Sequence, residues 1–140
     1  MSPVANTNAD VIAEFRRSGG EVEAPYDNPP PMVLLHTTGA RSGREHIVPM
    51  RAMPDGDTLY VFASAHGSDR HPDWYRNVTA NPDFTIEIGR DTVAVHATEI
   101  TGEEREEILG RWLERVPLFA GVIEKTNRPI PVIRLTPASR

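Results

Sequence analysis

The residues most suited to chemistry stand in one short basic stretch, Thr37-Thr38-Gly39-Ala40-Arg41-Ser42-Gly43-Arg44, between apolar runs at 32–35 and 47–50. Glycine permits positive φ and close approach of the main chain to a ligand. Consecutive backbone N–H groups in such a turn can hold an anion. Two arginines add guanidinium groups, which bind phosphate or carboxylate through paired hydrogen bonds. The stretch indicates either an anion-binding loop between strands or a polar hairpin loop with solvated arginines, and it matches neither the Walker A nor the G-x-G-x-x-G pattern.

Composition narrows the class of protein. A chain of 140 residues is long enough for one domain with a working core, and its net charge of −5 argues against a general binder of nucleic acid or of anionic membranes. The sequence has no cysteine, which excludes thiolate catalysis and favours a reducing cytoplasm. We expect no signal peptide and no transmembrane segment. Peripheral membrane contact through the N-terminus stays open.

Hydrophobic periodicity divides the chain into two parts. Residues 1–31 form an N-terminal helix, 8–17, and a proline-rich connector; residues 32–140 form the main domain. The predicted strands are 32–38, 46–53, 58–63, 84–88, 92–100 and 130–135, and the later helices are 72–80, 101–116 (opened by a capping box) and 118–125. Hairpin connections predict an α+β domain with about six mostly antiparallel strands curled into a small barrel and flanking helices. Pro49 requires an edge, a bulge or a break in the second strand.

The remaining polar residues indicate binding rather than catalysis by protein side chains alone. No two of the five histidines have H-x-x-x-H spacing, and no carboxylate is arranged with them as a ligand set, so we expect no metal site. His66 and His71 flank a glycine-containing loop before a helix that carries Trp74 and Tyr75, and either histidine could contact a ligand. Ser64 has no neighbouring base, which disfavours nucleophilic catalysis. Such a pattern suits a protein whose cofactor carries the reaction.

In order and spacing these stretches resemble the deazaflavin-dependent nitroreductase family, whose members use coenzyme F-420, an 8-hydroxy-5-deazaflavin. The resemblance covers nearly the whole chain from Glu14 onward. It runs through EFRRSGG (14–20), LLHTTGARSG (34–43), ASAHG (63–67), HPDWYRN (71–77), ANP (80–82) and IPVI (130–133). It implies a split β-barrel, and hydride transfer from the reduced deazaflavin to a small-molecule acceptor such as a quinone or nitro compound.

The same resemblance implies a set of cofactor-binding residues. Arg41 matches the position that holds the cofactor phosphate, with Ser42, Gly43, Arg44 and His46 beside it. His46 stands where relatives often have arginine, and lysine is common where this chain has Ala65. The other positions implied at the cofactor are Val48, Pro49, Met50, Ala63, Ser64, His66, Gly67, His71, Trp74, Tyr75 and Asn77.

On the substrate side, Val116, Phe119 and Val122 stand where nitroimidazole-reducing relatives have tyrosines. We therefore expect an apolar acceptor side that favours quinones, with Ser64 as the hydrogen-bond donor to the acceptor. The alternative for Ser64 is a hydroxyl that caps the following turn.

Two other functions remain open at this stage. One is a non-catalytic carrier of a deazaflavin, a flavin or an apolar ligand, and the other is an enzyme that uses flavin mononucleotide. The sequence leaves the electron acceptor and the oligomeric state undecided, with a homodimer among the options.

Overall fold

The computed structural model describes residues 8–24, 28–64, 71–126 and 128–138. Within those ranges it has four helices: α1 (Asn8–Ser18), α2 (Asp73–Ala80), α3 (Gly102–Arg115) and α4 (Phe119–Lys125). It has seven strands there: β1 (Met32–Thr38), β2 (Glu45–Arg51), β3 (Met53–Asp55), β4 (Thr58–Phe62), β5 (Asp83–Ile88), β6 (Asp91–Ile100) and β7 (Val132–Pro137). None of these helices combines the length and the apolar character of a membrane span.

All strands belong to one antiparallel sheet with the order β2-β1-β5-β6-β7-β4-β3. Its two edge strands are consecutive in the chain and are separated only by Ala52, which is fully buried. The sheet must therefore curl until its edges meet at this residue, while β2 and β3 remain unpaired with each other along the seam. The predicted α+β split barrel is confirmed. The sheet has one strand more than predicted, because the expected strand 46–53 is divided at Ala52.

The edge position of β2 explains its proline. Pro49 lies opposite Leu34 in the pairing of β1 with β2, and β2 has no neighbouring strand on its other side. A residue without an N–H group is tolerated there, because the outer side of an edge strand has no ladder to complete. Of the three arrangements that Pro49 allowed, the structure has the edge.

Two apolar clusters lie on the sheet. The first joins five strands to α2 through Val78, and Met50, Trp74 and Tyr75 pack against it. The second lies under α3 and α4, where Phe62 stacks on Trp112 with ring centroids 4.5 Å apart. Each fully buried side chain of this size contributes about 1.5–3 kcal/mol to stability. The two clusters therefore fix α2 on one region of the sheet and the α3–α4 pair on another.

The N-terminal segment is attached through arginines. In α1, Phe15 is buried, and the Arg16 guanidinium donates to Glu87 of β5 at 2.8 Å. The connector is held by Arg51, which donates to the carbonyl oxygens of Val22 at 2.7 Å and Pro30 at 3.0 Å. The division of the chain at residue 31 into two parts stays a prediction.

Two helix starts differ from the sequence expectation. The capping box at the start of α3 does not form, because the Thr101 side chain makes no capping hydrogen bond and Glu104 pairs with Arg134 of β7 instead. At α2, Pro72 is the N-cap residue with extended backbone rather than the first helical residue. In both places the helix itself begins within one residue of the predicted position.

Candidate active site

The basic loop between β1 and β2 is closed by its own backbone. Gly39 N–H donates to the Arg44 carbonyl at 2.8 Å, and Gly43 N–H donates back to the Gly39 carbonyl at 3.0 Å. The Arg44 N–H donates to Ser42 Oγ at 3.1 Å. Gly43 has φ of 71°, a value that glycine adopts without strain. These bonds use N–H groups that the sequence suggested for an anion, so the loop offers a smaller backbone site than expected.

The guanidinium groups of the loop are available. Arg41 and Arg44 are both exposed, and neither forms an ion pair with any residue in the described part of the chain. The nearby acid, Glu45, instead contacts Nδ1 of His36 at 3.2 Å. Two arginines without carboxylate partners on a rigid hairpin are suited to an anionic ligand.

Gly39 is the point on which the loop side chains converge. A Cβ atom placed on this residue would lie 2.4 Å from Ser42 Oγ and 3.1 Å from His46 Nε2. The His46 carbonyl also accepts a hydrogen bond from the buried hydroxyl of Thr37 at 3.0 Å. Ser42 and His46, two of the predicted cofactor residues, therefore lie against the same backbone atom, and only glycine leaves room for both.

Helix α2 is joined to this loop by side-chain amides. Asn77 Oδ1 accepts a hydrogen bond from the Ala40 N–H at 3.1 Å, and Asn81 Nδ2 donates to the Thr38 carbonyl at 3.3 Å. Asn77 therefore holds the basic loop against α2, and its predicted contact with the cofactor stays a prediction. Trp74 and Tyr75, earlier in the same helix, are half-buried against the first apolar cluster.

The predicted β2 residues do not all face the same side. Side chains alternate along a strand, so His46, Val48 and Met50 share one face and Pro49 lies on the other. Met50 packs against the first cluster together with Trp74 and Tyr75, which identifies this face as the side of α2. Pro49 therefore contributes backbone shape rather than a side chain on that face.

The other half of the candidate site lies at the end of β4. Ala63 is fully buried and Ser64 is half-buried. Their carbonyl oxygens accept hydrogen bonds from the two terminal nitrogens of Arg128, at 3.1 Å and 3.0 Å, and one of those nitrogens also lies 3.0 Å from His71 Nδ1. Sequence reasoning missed Arg128. Its only signal was its position just before the IPVI motif.

His71 and Tyr75 form a pair at the start of α2. Their ring centroids are 4.7 Å apart, and the Tyr75 hydroxyl donates to Glu99 Oε1 at 2.5 Å. Burial, followed by this hydrogen bond to Glu99, raises the pKa of Tyr75 to about 12. Burial also lowers the pKa of His71, and the positive charge of Arg128 lowers it further. Both rings are therefore uncharged at neutral pH.

The residues predicted on the substrate side lie in the second apolar cluster. Val116 and Phe119 are buried there beside Trp112, while Val122 is half-buried. Trp112 Nε1 is buried and has no hydrogen-bond partner in the described part of the chain. The structure does not bring these residues into contact with the basic loop. His66 and Gly67, also predicted at the cofactor, lie outside the described residues.

Comparison with known proteins identifies the family. The family model for F420H(2)-dependent quinone reductases matches residues 9–137. An F420H(2)-dependent quinone reductase of Mycobacterium tuberculosis is 31% identical over 129 residues, covering 89% of this chain and 85% of the relative. The chain belongs to the F420H(2)-dependent quinone reductase family.

Solved structures agree with this assignment. A structure described as a domain-swapped dimer has a TM-score of 0.70 at 34% identity and covers 89% of this chain and 93% of its own. An F420-H2 dependent reductase has a TM-score of 0.68 at 36% identity, with 82% and 99% covered. The predicted family, the enzyme class (a coenzyme F-420-dependent oxidoreductase) and the cofactor are confirmed, and the carrier and flavin mononucleotide alternatives are not favoured.

Proposed function

We propose that this protein reduces quinone-like acceptors with coenzyme F-420. We further propose that it holds the cofactor between the basic loop, helix α2 and the face of β2 that carries Val48 and Met50. The observation that carries the site is the pair of exposed arginines, Arg41 and Arg44, without carboxylate partners in the described residues. Met50 of β2, six residues after Arg44, packs together with Trp74 against the first apolar cluster. A phosphate-bearing cofactor with a flat ring needs both kinds of surface.

The residues present fit such a group. Guanidinium forks at Arg41 and Arg44 would hold the phosphate, and the Ser42 hydroxyl and His46 ring, packed on Gly39, keep the loop in one shape. Val48 and Met50 would offer apolar contact on the face of β2 that α2 shares. The bound cofactor supplies the hydride, so the protein's contribution is to orient the reactants and exclude water.

Ser64 is proposed to donate a hydrogen bond to the acceptor. Its N–H is already used, donating to the Phe62 carbonyl at 2.9 Å, whereas its hydroxyl has no hydrogen-bond partner among the described residues. A donor aimed at an oxygen on which charge develops lowers the barrier to reduction. A preference for quinone-like acceptors is supported by the family model and by the relatives, which are named F420H(2)-dependent quinone reductases.

The cofactor site is tested by titration of the purified protein with oxidised coenzyme F-420 and with flavin mononucleotide in parallel. We expect tighter binding of coenzyme F-420. Arg41→Ala should weaken it by about 1.5–3 kcal/mol, the contribution of a hydrogen bond to a charged group. This loss should shrink as salt rises, because screening weakens the charge interaction in the parent protein.

The control for this titration is Arg111→Ala, which removes an exposed arginine of α3 that pairs with Asp55. Arg111→Ala should leave the affinities for coenzyme F-420 and for flavin mononucleotide unchanged. Equal or tighter binding of flavin mononucleotide would contradict the cofactor preference, and an unchanged Arg41→Ala affinity at low salt would place the phosphate elsewhere.

The acceptor and the role of Ser64 are tested by steady-state oxidation of reduced coenzyme F-420 with a menadione-type quinone and with a nitroimidazole. We expect higher activity with the quinone. Ser64→Ala should lower the turnover number roughly 10- to 100-fold, with little change in cofactor affinity, because only the donor to the acceptor is removed. Quinone activity no higher than nitroimidazole activity would overturn the apolar acceptor side.

We also propose that the protein is a homodimer in the cytoplasm. The support for assembly is the 34% identical structure described as a domain-swapped dimer, and the support for location is the cysteine-free sequence. Light scattering coupled to size exclusion would give the mass of the assembly. A mass of 15.5 kDa, that of one chain, would contradict the dimer.

A further inference from the structure

Arg128 joins three parts of the chain that are far apart in sequence. It lies between α4 and β7, and it is half-buried. Its Nη1 lies 3.1 Å from the Ala63 carbonyl and 3.0 Å from His71 Nδ1, while its Nη2 lies 3.0 Å from the Ser64 carbonyl. One guanidinium group thus contacts both Ser64 and His71, which lies two residues before α2.

At the end of β4 the backbone turns so that the carbonyl groups of Ala63 and Ser64 both accept hydrogen bonds from Arg128. The Ala63 N–H still donates to the carbonyl of Pro131, the residue before β7, 3.0 Å away. The next N–H, of Ser64, instead donates to the Phe62 carbonyl, which is a three-residue turn of the kind found at strand ends. After this turn the carbonyls of Ala63 and Ser64 both reach Arg128. A planar fork with several donors satisfies two such carbonyls at once, which a lysine ammonium cannot do in the same geometry.

The contact with His71 fixes the state of the imidazole. Arginine only donates, so Nδ1 of His71 must be the unprotonated acceptor and the ring must be neutral. Among the described residues, the charged groups that face this ring are Arg128 and Arg76, which disfavour its protonation, and Glu99, which favours it. The ring of Tyr75, whose hydroxyl is bound to Glu99, also packs against it.

From these contacts we infer that Arg128 is a positioning residue for the reduction: its guanidinium holds the Ser64 backbone and the neutral His71 ring in one arrangement, and so aims the Ser64 hydroxyl at the acceptor. This inference rests on the proposed role of Ser64. In this proposal Arg128 acts through Ser64 and His71, the residues that it holds.

Two substitutions separate the charge of Arg128 from its shape. Arg128→Lys keeps the positive charge beside His71 but cannot hold both carbonyls, whereas Arg128→Gln removes the charge as well. Both should lower the turnover number roughly 10- to 100-fold, the cost of misplacing a reacting group, while cofactor affinity changes less than about twofold. A merely structural role would lower the amount of folded protein without changing turnover per folded molecule.

The protein without cofactor provides a second readout. The pKa of His71, followed by NMR and assigned with His71→Gln, should lie below 6.5 in the parent protein. It should rise in Arg128→Gln, because a neighbouring positive charge is lost, and it should stay low in Arg128→Lys. The acid limb of the turnover profile should move to higher pH in Arg128→Gln alone.

A matched control is Arg105→Lys, since Arg105 also donates to a backbone carbonyl, that of Ile130, at 2.8 Å. It should change stability but neither turnover nor the pKa of His71. The double variant Ser64→Ala/Arg128→Lys should be no slower than Ser64→Ala, because Arg128 acts through Ser64.

Failure of the proposed role of Ser64 and failure of the proposed role of Arg128 give different results. If Ser64→Ala leaves quinone turnover unchanged, the proposed role of Ser64 is wrong. Suppose instead that Ser64→Ala slows turnover. The positioning role of Arg128 is then overturned if adding Arg128→Lys to Ser64→Ala slows turnover by the same factor as Arg128→Lys does alone. It is also overturned if Arg128→Lys alone has the same turnover number as the parent. An unchanged His71 pKa in Arg128→Gln would also contradict it.

Discussion

At the scale of single residues, arginines have two distinct functions in this protein. Arg41 and Arg44 extend from a closed hairpin into solvent, where their charge is available to a ligand. Arg51 and Arg128 turn inward and donate to backbone carbonyls of distant segments. The side-chain type is the same, but only the first pair can be recognised from sequence, because it is adjacent to glycines and lies between strands. The partners of the second pair are 21 to 65 residues away.

Gly39 gives a prediction at this scale. Gly39→Ala should weaken binding of coenzyme F-420, because the new Cβ atom would lie 2.4 Å from Ser42 Oγ and must displace that side chain. We expect at least a tenfold loss of affinity, about the effect of losing one hydrogen bond to a charged group. The measurement is the same titration with oxidised coenzyme F-420 as for Arg41→Ala. Gly110→Ala is the control, since its Cβ would have no atom within 4 Å and its affinity should equal that of the parent. Equal affinity in Gly39→Ala would show that the loop shape does not matter.

At the scale of elements, the sequence predicted which segments form helices and strands, because each carries a clear apolar period. β1 has its predicted bounds, and α1 ends one residue later than predicted. The division at Ala52 could not be predicted, since it results from the curl of the whole sheet rather than from any local breaker. The capping box failed for a related reason: Glu104 finds Arg134 on β7, a partner 30 residues away.

The attachment of α1 to the sheet gives a prediction that depends on pH. Glu87 accepts hydrogen bonds from Arg16 at 2.8 Å and contacts His36 Nε2 at 2.6 Å. The hydrogen bond from Arg16 and then that from His36 hold the pKa of Glu87 below its ordinary value of 4.5, against the opposing effect of burial. The stabilisation is therefore fully present above pH 4.5 and is lost as pH falls through the lowered pKa.

We expect Glu87→Gln to lower the free energy of unfolding by about 1 kcal/mol at neutral pH, a modest value because the Arg16 side chain is half-exposed. The difference from the parent should disappear in strong acid. Urea unfolding of the parent and of Glu87→Gln at several pH values measures the difference in stability at neutral pH and its disappearance in acid. Glu14→Gln breaks an exposed pair with Arg17 and should cost less than half as much. A difference that grows as pH falls would contradict this account.

At the scale of the whole molecule, the candidate site is assembled around α2. The basic loop is held at Asn77, in the second half of the helix, and the end of β4 is connected at His71, just before its start. The sequence motifs place candidate site residues on both sides of α2, and their roles stay predictions. The sequence could not show that Phe119 of α4 would be buried against Trp112 of α3, because this contact depends on how α3 and α4 pack on the sheet.

The last prediction concerns the corner where the barrel closes. Arg51 ends β2, next to buried Ala52, and its guanidinium donates to the carbonyls of Val22 and Pro30. The Ala52 N–H donates to Pro31 at 2.9 Å, so the connector is bound to the corner by two adjacent residues. Arg51→Met keeps the apolar stem and removes the donors. It should lower the free energy of unfolding by about 1.5–3 kcal/mol, the value for one hydrogen bond to a charged group, since the freed carbonyls can bind water.

Hydrogen exchange distinguishes this local effect from a general loss of stability. In Arg51→Met the Ala52 amide should exchange faster by more than the global change in stability explains, because Arg51 no longer holds Pro30, the residue before the Pro31 carbonyl that accepts from Ala52. The exchange rates of amides in the centre of β5 should change only by the amount that the loss of global stability explains. Arg17→Met removes an arginine whose hydrogen bonds within the described residues go to Glu14 on the surface of α1. It should alter neither the exchange of the Ala52 amide nor the global stability. If the Ala52 amide instead follows β5 in Arg51→Met, the corner is held by the curl of the sheet and not by the connector.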